Sequence, residues 1–508
     1  MNKQERNDAS HDLSHLTDFI APAIPETPAE PPVPPIPVPE PGTELRMWGG
    51  PVTTLIPALV FVGVLVWLSV EERAALTSFW VGGWASIVVG LLLTRTPKRY
   101  AGAIIRGLTD ETGAVIITAY LFAGVFGALL GGGGLVNGLL WFGLATGVGG
   151  AAFAVLAFLL SCIFAVGTGS SVGAALSLIP VIYPAGVALG ADPTWLALAI
   201  LAGGAFGDNL APISDTTLAS AYTSRAVMAD VVKSRLPLAL IAALASAICI
   251  IIFGGTGKAP EPNLIDVDAT PLGLVMLIPF AVVIILAMRR FHIVIALIWG
   301  SLTCMIIGLI TGLISPGDIF SIPGERGETS GLIETGLVDI TGAIVLVLFI
   351  LGLAQVLAES GFMALILEKL TVHAANGVRS AEFAIAGITM LFTVPLGANA
   401  PAILLVGPTI GRPLGQEYGL APARIANLMD CAANTVFYML PWHNAVIIWY
   451  ATIASVAARY GLEEVSITSA GMNPYAWVLI TVMVISILTG WNRKYAKEGE
   501  YDFDPATA

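Results

Sequence analysis

The chain has 508 residues, of which 56% are hydrophobic and only 11% charged, with a mean hydropathy of +0.85. Soluble domains carry about twice that share of charge, so a water-soluble globular protein is excluded. The net charge of −12 leaves no basic surface for nucleic acid.

The first fifty residues stand apart. They open polar, MNKQERNDASHDLSHL, and pass into PAIPETPAEPPVPPIPVPEPG. The charged start is not followed by the apolar core and small-residue cleavage site of a signal peptide. Residues 1–50 are expected to form a disordered, polyproline-like cytoplasmic tail. From residue 51 onward, apolar stretches of about twenty residues recur, each sufficient to cross a bilayer as a helix. Clear cases are VTTLIPALVFVGVLVWLSV (52–70), PLALIAALASAICIIIFGG (237–255) and GLVMLIPFAVVIILAM (273–288). About fourteen such spans are expected, making this an all-α polytopic membrane protein in contact with the lipid bilayer. Two of them fall in residues 51–100. The single cysteines Cys162, Cys249, Cys304 and Cys431 form no C-x-x-C pair and read as small core residues.

Basic residues set the expected orientation. They cluster at RTPKR (95–99), at Lys233 and Arg235, at Arg289 and Arg290, and at Arg493, Lys494 and Lys497. The segments EPNLIDVD (261–268) and GERGETSGLIE (324–334) are acidic or mixed. With the basic loops inside, an even number of crossings puts both termini in the cytoplasm, provided residues 421–451 make one broken span. Such a chain is expected in the cell (plasma) membrane.

GLTDETGAVI (107–116) returns as GLVDITGAIV (336–345), at an offset of 229. The same offset aligns ADP (191–193) with LAP (420–422) and NLAPISD (209–215) with YMLPWHN (438–444). Pro193 therefore matches Pro422, Pro212 matches Pro441, and Asp215 matches Asn444. The chain is read as a duplication, with repeats at 101–329 and 330–492 and a cytoplasmic C-terminal tail at 493–508. Because the first motif enters from the cytoplasm and the second from outside, the repeats are expected to be inverted. Inverted repeats with discontinuous helices are a transporter architecture.

The chemistry is expected at GAFGDNLAPISDTTLASA (204–221). A carboxylate at mid-membrane costs roughly 2.5–3.5 kcal/mol on an insertion scale, so two need water or a partner. A short loop at the membrane edge is the plain alternative, but WLALAILAGGAF before it carries no charge. Pro212 lacks an N–H for the carbonyl of Asp208, four residues earlier, so the helix should open there. Unwound backbone at membrane depth is tolerated within protein or beside water. Asp208, Asn209, Ser214, Asp215, Thr216 and Thr217 then form an oxygen-rich site suited to a small cation, with Na⁺ expected at Asp208 and Asp215. The matching element, LMDCAANTVFYMLPWHNAVIIW (428–449), adds Asp430, Asn434, Thr435, His443 and Asn444 with Pro441 at its break; His443 either relays protons or is a neutral packed ring. Each repeat has an earlier break as well. FAVGTGSSVGAALSLIPVIYP (164–184) offers Thr168, Ser170 and Ser171, and VPLGANAPAILLVGPTIGRP (394–413) offers Asn399. GTGSSVG lacks the lysine and preceding strand of a phosphate loop, so ATP-driven transport is not indicated.

GDNLAPISDTT (207–217), preceded by GTGSSVGAALSLIP (167–180), resembles the signature of the NhaC-type sodium/proton antiporter family, most closely over residues 160–255. LPWHNAVIIWYATI (440–453) is similar to the second-repeat break of that family. Its members commonly carry lysine at the position of Asn209 and an asparagine-like residue at that of His443. The resemblance implies a transporter rather than an enzyme, with Na⁺ and H⁺ as cargo and no cofactor. Exchange is expected by competition of the two ions for Asp208 or Asp215, with Asp215 the first choice as ligand and Asp208 a second ligand or proton carrier, in a chain compatible with a homodimer. Relatives that move organic anions with sodium or protons make a malate- or lactate-type carrier the alternative. For that substrate Arg412, Arg424 and His443 are the candidate anion-binding groups, the two arginines being expected at membrane edges. A sensor or scaffold working through the proline-rich tail is a third class.

Overall fold

A computed structural model describes residues 45–71, 76–109, 111–256, 268–289, 291–322, 329–362, 365, 376–497 and 499–502. The proline-rich tail, Asp110, most of the 261–268 segment and the last six residues lie outside these. The described chain is helical, with only isolated β-bridges besides. Its helices are α1 (Leu55–Val70), α2 (Leu76–Leu93), α3 (Pro97–Thr109), α4 (Glu111–Gly132), α5 (Leu135–Thr146), α6 (Gly150–Thr168), α7 (Ser171–Ala188), α8 (Pro193–Leu210), α9 (Asp215–Ser224), α10 (Met228–Phe253), α11 (Leu277–Met288), α12 (Ile293–Thr311), α13 (Leu332–Glu359), α14 (Val378–Leu396), α15 (Asn399–Val406), α16 (Arg412–Glu417), α17 (Pro422–Val436), α18 (Asn444–Tyr460) and α19 (Pro474–Thr489).

Ten helical segments among the described residues are long and apolar enough to cross a membrane, and three shorter apolar helices accompany them. Part of the difference from fourteen has a local cause. The break before Pro441 divides one stretch into α17 and α18, neither of which reaches the length of a full crossing on its own.

Two helical hairpins are built alike. After α6, Gly169 adopts φ 68° and its N–H reaches back to the carbonyl of Ala165; after α14, Gly397 adopts φ 64° and its N–H reaches back to Thr393. Left-handed backbone at a helix end is a glycine position. Ser170 then caps α7 by accepting the N–H of Gly173 at 3.0 Å, while Thr168 Oγ1 accepts the N–H of Ser170. Next, Pro193 and Pro422 open α8 and α17 at the first helical turn, where a missing N–H costs nothing. Helix starts therefore recur at 171 and 399, 193 and 422, and 215 and 444.

The two broken units meet α10 at opposite ends. The N–H of Asp192, just before α8, donates to Gly254 at the C-terminal end of α10. Asn427, early in α17, donates instead to the carbonyl and hydroxyl of Ser234 near the start of α10, both at 3.0 Å. Asn492, after α19, donates to the same Ser234 carbonyl. The second GLxDxTGA motif contributes Asp339, which is ion-paired with Arg459 and so ties α13 to α18.

The helix that carries Asp208 is held by glycines. Gly203 and Gly207, four residues apart on α8, face the backbone of α6. A Cβ on Gly203 would meet the carbonyl of Phe158, and one on Gly207 would meet Ala165 and Val166. Small residues at this spacing let membrane helices approach closely. Ser161 completes the contact by donating to the carbonyl of Ile200 at 2.7 Å. Gly207→Ala is expected to destabilise the chain by roughly 1–3 kcal/mol, because backbone atoms cannot yield to the added methyl. Gly387 on α14 has nothing within 4 Å of its own Cβ position. Thermal unfolding in detergent should show a lowered midpoint for Gly207→Ala and none for Gly387→Ala.

Candidate functional site

Pro212 ends α8 where the sequence suggests. The helix closes with the N–H of Ala211 on the carbonyl of Gly207, at 2.8 Å, and the chain turns through Pro212 and Ile213 before Asp215 begins α9. Asp208, on the last turn of α8, is buried. Its Oδ1 accepts the hydroxyl of Ser214 at 2.5 Å. Its Oδ2 accepts the hydroxyl of Tyr438 and lies 3.5 Å from Asn399 Nδ2. Tyr438 OH is also 2.8 Å from Ser171 Oγ, at the start of α7. Ser214 Oγ lies 3.5 Å from Asp215 Oδ1 and 3.0 Å from Thr216 Oγ1, so the two carboxylates bracket one hydroxyl.

Asp215 differs from Asp208 in being exposed. The outer stripe of α9 continues from it through Leu218 and Tyr222. Its Oδ1 accepts the N–H of Thr216 at 3.0 Å, at the positive end of the helix dipole. The pair thus joins a buried carboxylate to an accessible one. Neither forms an ion pair among the described residues.

A second buried cluster adjoins the first. Asp430 on α17 is ion-paired with Arg235 of α10 and accepts from Asn434 and, at 3.3 Å, from Ser220. Arg235 Nη1 also donates to the carbonyl of Asn209 and, at 3.0 Å, to Thr217 Oγ1. Asn399 Nδ2 donates to Asn434 Oδ1 at 2.7 Å, and Asn434 Nδ2 reaches Thr216 Oγ1 at 3.3 Å. These amides connect the two clusters. The side chain of Asn209 points elsewhere, donating to Tyr475 OH at 2.8 Å.

Asp208, Ser214, Asp215, Thr216, Thr217, Asn399, Asp430, Asn434 and Ser171 therefore come together in one polar core. Thr168 and Ser170 serve helix capping, and Thr435 donates to its own helix at Ala432. Asn444 contributes its backbone N–H to the carbonyl of Gly397. His443 is buried between Phe437 and Trp442 with Nε2 3.1 Å from the carbonyl of Val394. That carbonyl, rather than a carboxylate, is its hydrogen-bond partner, which matches the packed-ring reading. Arg424, expected at a membrane edge, is instead fully buried against Glu382 at 2.8 Å, a carboxylate that also holds Arg493.

Four contributors escape a reading of the sequence alone: Tyr438, Arg235, Ser220 and Tyr475. Tyr438 carries a signal, since it stands 229 residues after Asn209. Arg235 is read from sequence as a basic edge residue beside Lys233, and the structure corrects this. Two residues along a helix are about 200° apart around its axis. Lys233 is accordingly exposed while Arg235 is fully buried.

Comparison with known sequences places this frame in a class. The profile of the Na⁺/H⁺ antiporter family matches residues 45–255 and 264–491. The chain belongs to the Na⁺/H⁺ antiporter family and is an integral membrane transporter. A malate-2H⁺/Na⁺-lactate antiporter of Bacillus subtilis is 24% identical over 477 residues, covering 87% of this chain and 95% of the relative. The Na⁺/H⁺ antiporter NhaC of Alkalihalophilus pseudofirmus is 27% identical over 433 residues, covering 80% and 89%. The solved structure of Neisseria gonorrhoeae MtrF overlaps 79% of this chain and 84% of its own at 14% identity, with a TM-score of 0.37.

Ser214 is the one side chain that touches both carboxylates of the pair. Ser214→Ala should raise the Na⁺ concentration for half-maximal exchange about tenfold, the equivalent of ~1.4 kcal/mol for one lost hydroxyl contact. The check is a Na⁺ titration of exchange in proteoliposomes, where an unchanged half-maximal concentration would remove Ser214 from the site.

Proposed function

We propose that this chain exchanges Na⁺ for H⁺ across the plasma membrane by alternating access, with Asp208 as the carboxylate that the two ions share. The observation that carries the reading is a buried Asp208 ringed by a hydroxyl from its own repeat and a hydroxyl and amide from the other, with no ion pair among the described residues. Carboxylate and hydroxyl oxygens are what a hard cation takes. A proton neutralises the same carboxylate, so either ion loads the site and the two exclude one another. Asp215, accessible at the start of α9, is the first ligand a hydrated ion meets.

The frame for the motion is a pair of inverted repeats, at 101–329 and 330–492, within about fourteen crossings and with both termini in the cytoplasm. Support comes from the offset of helix starts and from α8 and α17 meeting α10 at opposite ends. Broken helices crossing at mid-membrane from opposite sides are where such transporters hold their substrates. The proline-rich segment 1–50 is a tether in this reading, and a homodimer is compatible with it.

Everted vesicles from an antiporter-deficient host, acidified by respiration and followed with a pH-sensitive dye, test the reading. Addition of NaCl, but not choline chloride, should restore fluorescence with the parent chain. Asp208→Asn should abolish the response, and Asp215→Asn should weaken it at least tenfold, with both variants present in the membrane at normal levels. A response to Na⁺ only when malate or lactate is added would replace this reading with a coupled organic-anion carrier, the activity named for the Bacillus relative. Normal exchange by Asp208→Asn would sink it outright.

A further inference from the structure

We propose that Arg235 is a tethered cation seated in a second cation-type oxygen cluster, and that it limits the exchanger to one bound Na⁺ per chain. The proposal deepens the exchange reading above and rests on it. The group at Arg235 Nη1 consists of Asp430 Oδ2, the Asn209 carbonyl and Thr217 Oγ1, with Ser220 Oγ on the same carboxylate oxygen. A carboxylate, a helix-end carbonyl and hydroxyls are the donor types a hard cation takes. They closely match those around Asp208. One nitrogen stands where an ion would stand, and it is the only formal positive charge in hydrogen-bond contact with the polar core among the described residues.

What separates this from the Arg424–Glu382 pair is the number of oxygens on one nitrogen, since Arg424 also pairs through a single nitrogen but meets only a carboxylate among the described residues. Arginine holds a carboxylate most strongly with two parallel N–H donors. Here Nη1 alone makes the contacts, while Nε and Nη2 have no hydrogen-bond partner among the described residues. Arg235 acts as a point charge shared by three oxygens. One of these is the carbonyl of Asn209, on the last turn of the helix that Pro212 ends.

The consequence concerns charge accounting within the cycle. A guanidinium does not lose its proton in a protein, and a covalent stem keeps it in place. Asp430 is therefore neutral with its partner whichever way the site faces, and draws no ion from solution. Asp208 has no such partner and must be neutralised by cargo. Asn399 and Asn434 join the two clusters through the chain Asp208–Asn399–Asn434–Asp430.

The experiment is equilibrium dialysis of the purified, detergent-solubilised full chain against radioactive Na⁺ at pH 9, where protons compete least. The parent chain should bind one Na⁺, and Arg235→Met should bind two. Arg235→Lys should stay at one, because it keeps a tethered charge. The pair Arg235→Gln with Asp430→Asn should return to one, since the charge and its partner leave together. One Na⁺ bound by a folded Arg235→Met chain, or two by the parent, would overturn the proposal. If Arg235→Met fails to fold because it strands Asp430, Arg235→Gln alone, which keeps an N–H for that carboxylate, decides: two Na⁺ support the proposal, and one overturns it. Asp208→Asn on the parent background is read separately. Its loss of the single Na⁺ supports the exchange reading, and retention would sink that reading without altering the Arg235 comparison.

Discussion

Asp208 is buried with no fixed counter-charge among the described residues, and the surrounding architecture follows from that condition. An ionised carboxylate removed from water is costly unless it is paired or fully hydrogen-bonded. The chain meets the cost with donors from three directions: Ser214 after the break, Tyr438 before the opposite break, and Asn399 at the tip of the second hairpin. Continuous helices could not bring those groups to one point, because their backbones would fill the space. Opening the chain at Pro212 frees it. The same opening starts α9 at Asp215, where the dipole of the new helix favours a negative charge.

The polar core is thereby shared between the two halves of the molecule. Asp208, Ser214 and Ser171 belong to the first repeat unit, Asn399, Asp430, Asn434 and Tyr438 to the second. Each hairpin tip lies close to a break. A Cβ on Gly169 would meet Ile213 and the backbone N of Ser214, and one on Gly397 would meet the carbonyl of Trp442. Asn444 N–H donates to Gly397 besides. A displacement of one half against the other must therefore disturb the donors of Asp208 itself. In the exchange reading proposed above, an ionised Asp208 would resist losing them more than one neutralised by Na⁺ or H⁺. This difference is what an obligatory exchanger requires, since only the loaded site should cross.

Much of this was legible in the sequence, for a physical reason. Polar residues within apolar stretches are few and expensive, so Asp208, Ser214, Asn399, Asp430 and Asn434 marked themselves by contrast. The breaks were legible because proline and glycine act locally. What stayed hidden depended on direction rather than composition. Arg235 and Lys233 look alike as a basic pair, yet one faces the core and the other the exterior. Tyr438 and Tyr475 are amphipathic and read as ordinary packing residues until a partner for the hydroxyl is known. His443 was open to two readings, and the structure packs its ring between Phe437 and Trp442 with the Val394 carbonyl as its partner. The number of crossings was the least legible feature, because a broken span and two short helices have the same hydropathy.

The asymmetry between the repeats bears on how the site is charged. At the offset of 229, Asp208 falls on Phe437, Asn209 on Tyr438, Ser214 on His443 and Asp215 on Asn444. At this offset the later segment has a break but no acid, and it carries Tyr438, whose hydroxyl donates to Asp208. Acids at all four positions would crowd like charges into one desolvated core and would require several cations to neutralise them. The acid that the second copy does place in the core, Asp430, comes with Arg235 already attached. The acids of the core that lack an ion pair among the described residues are thus Asp208 and Asp215.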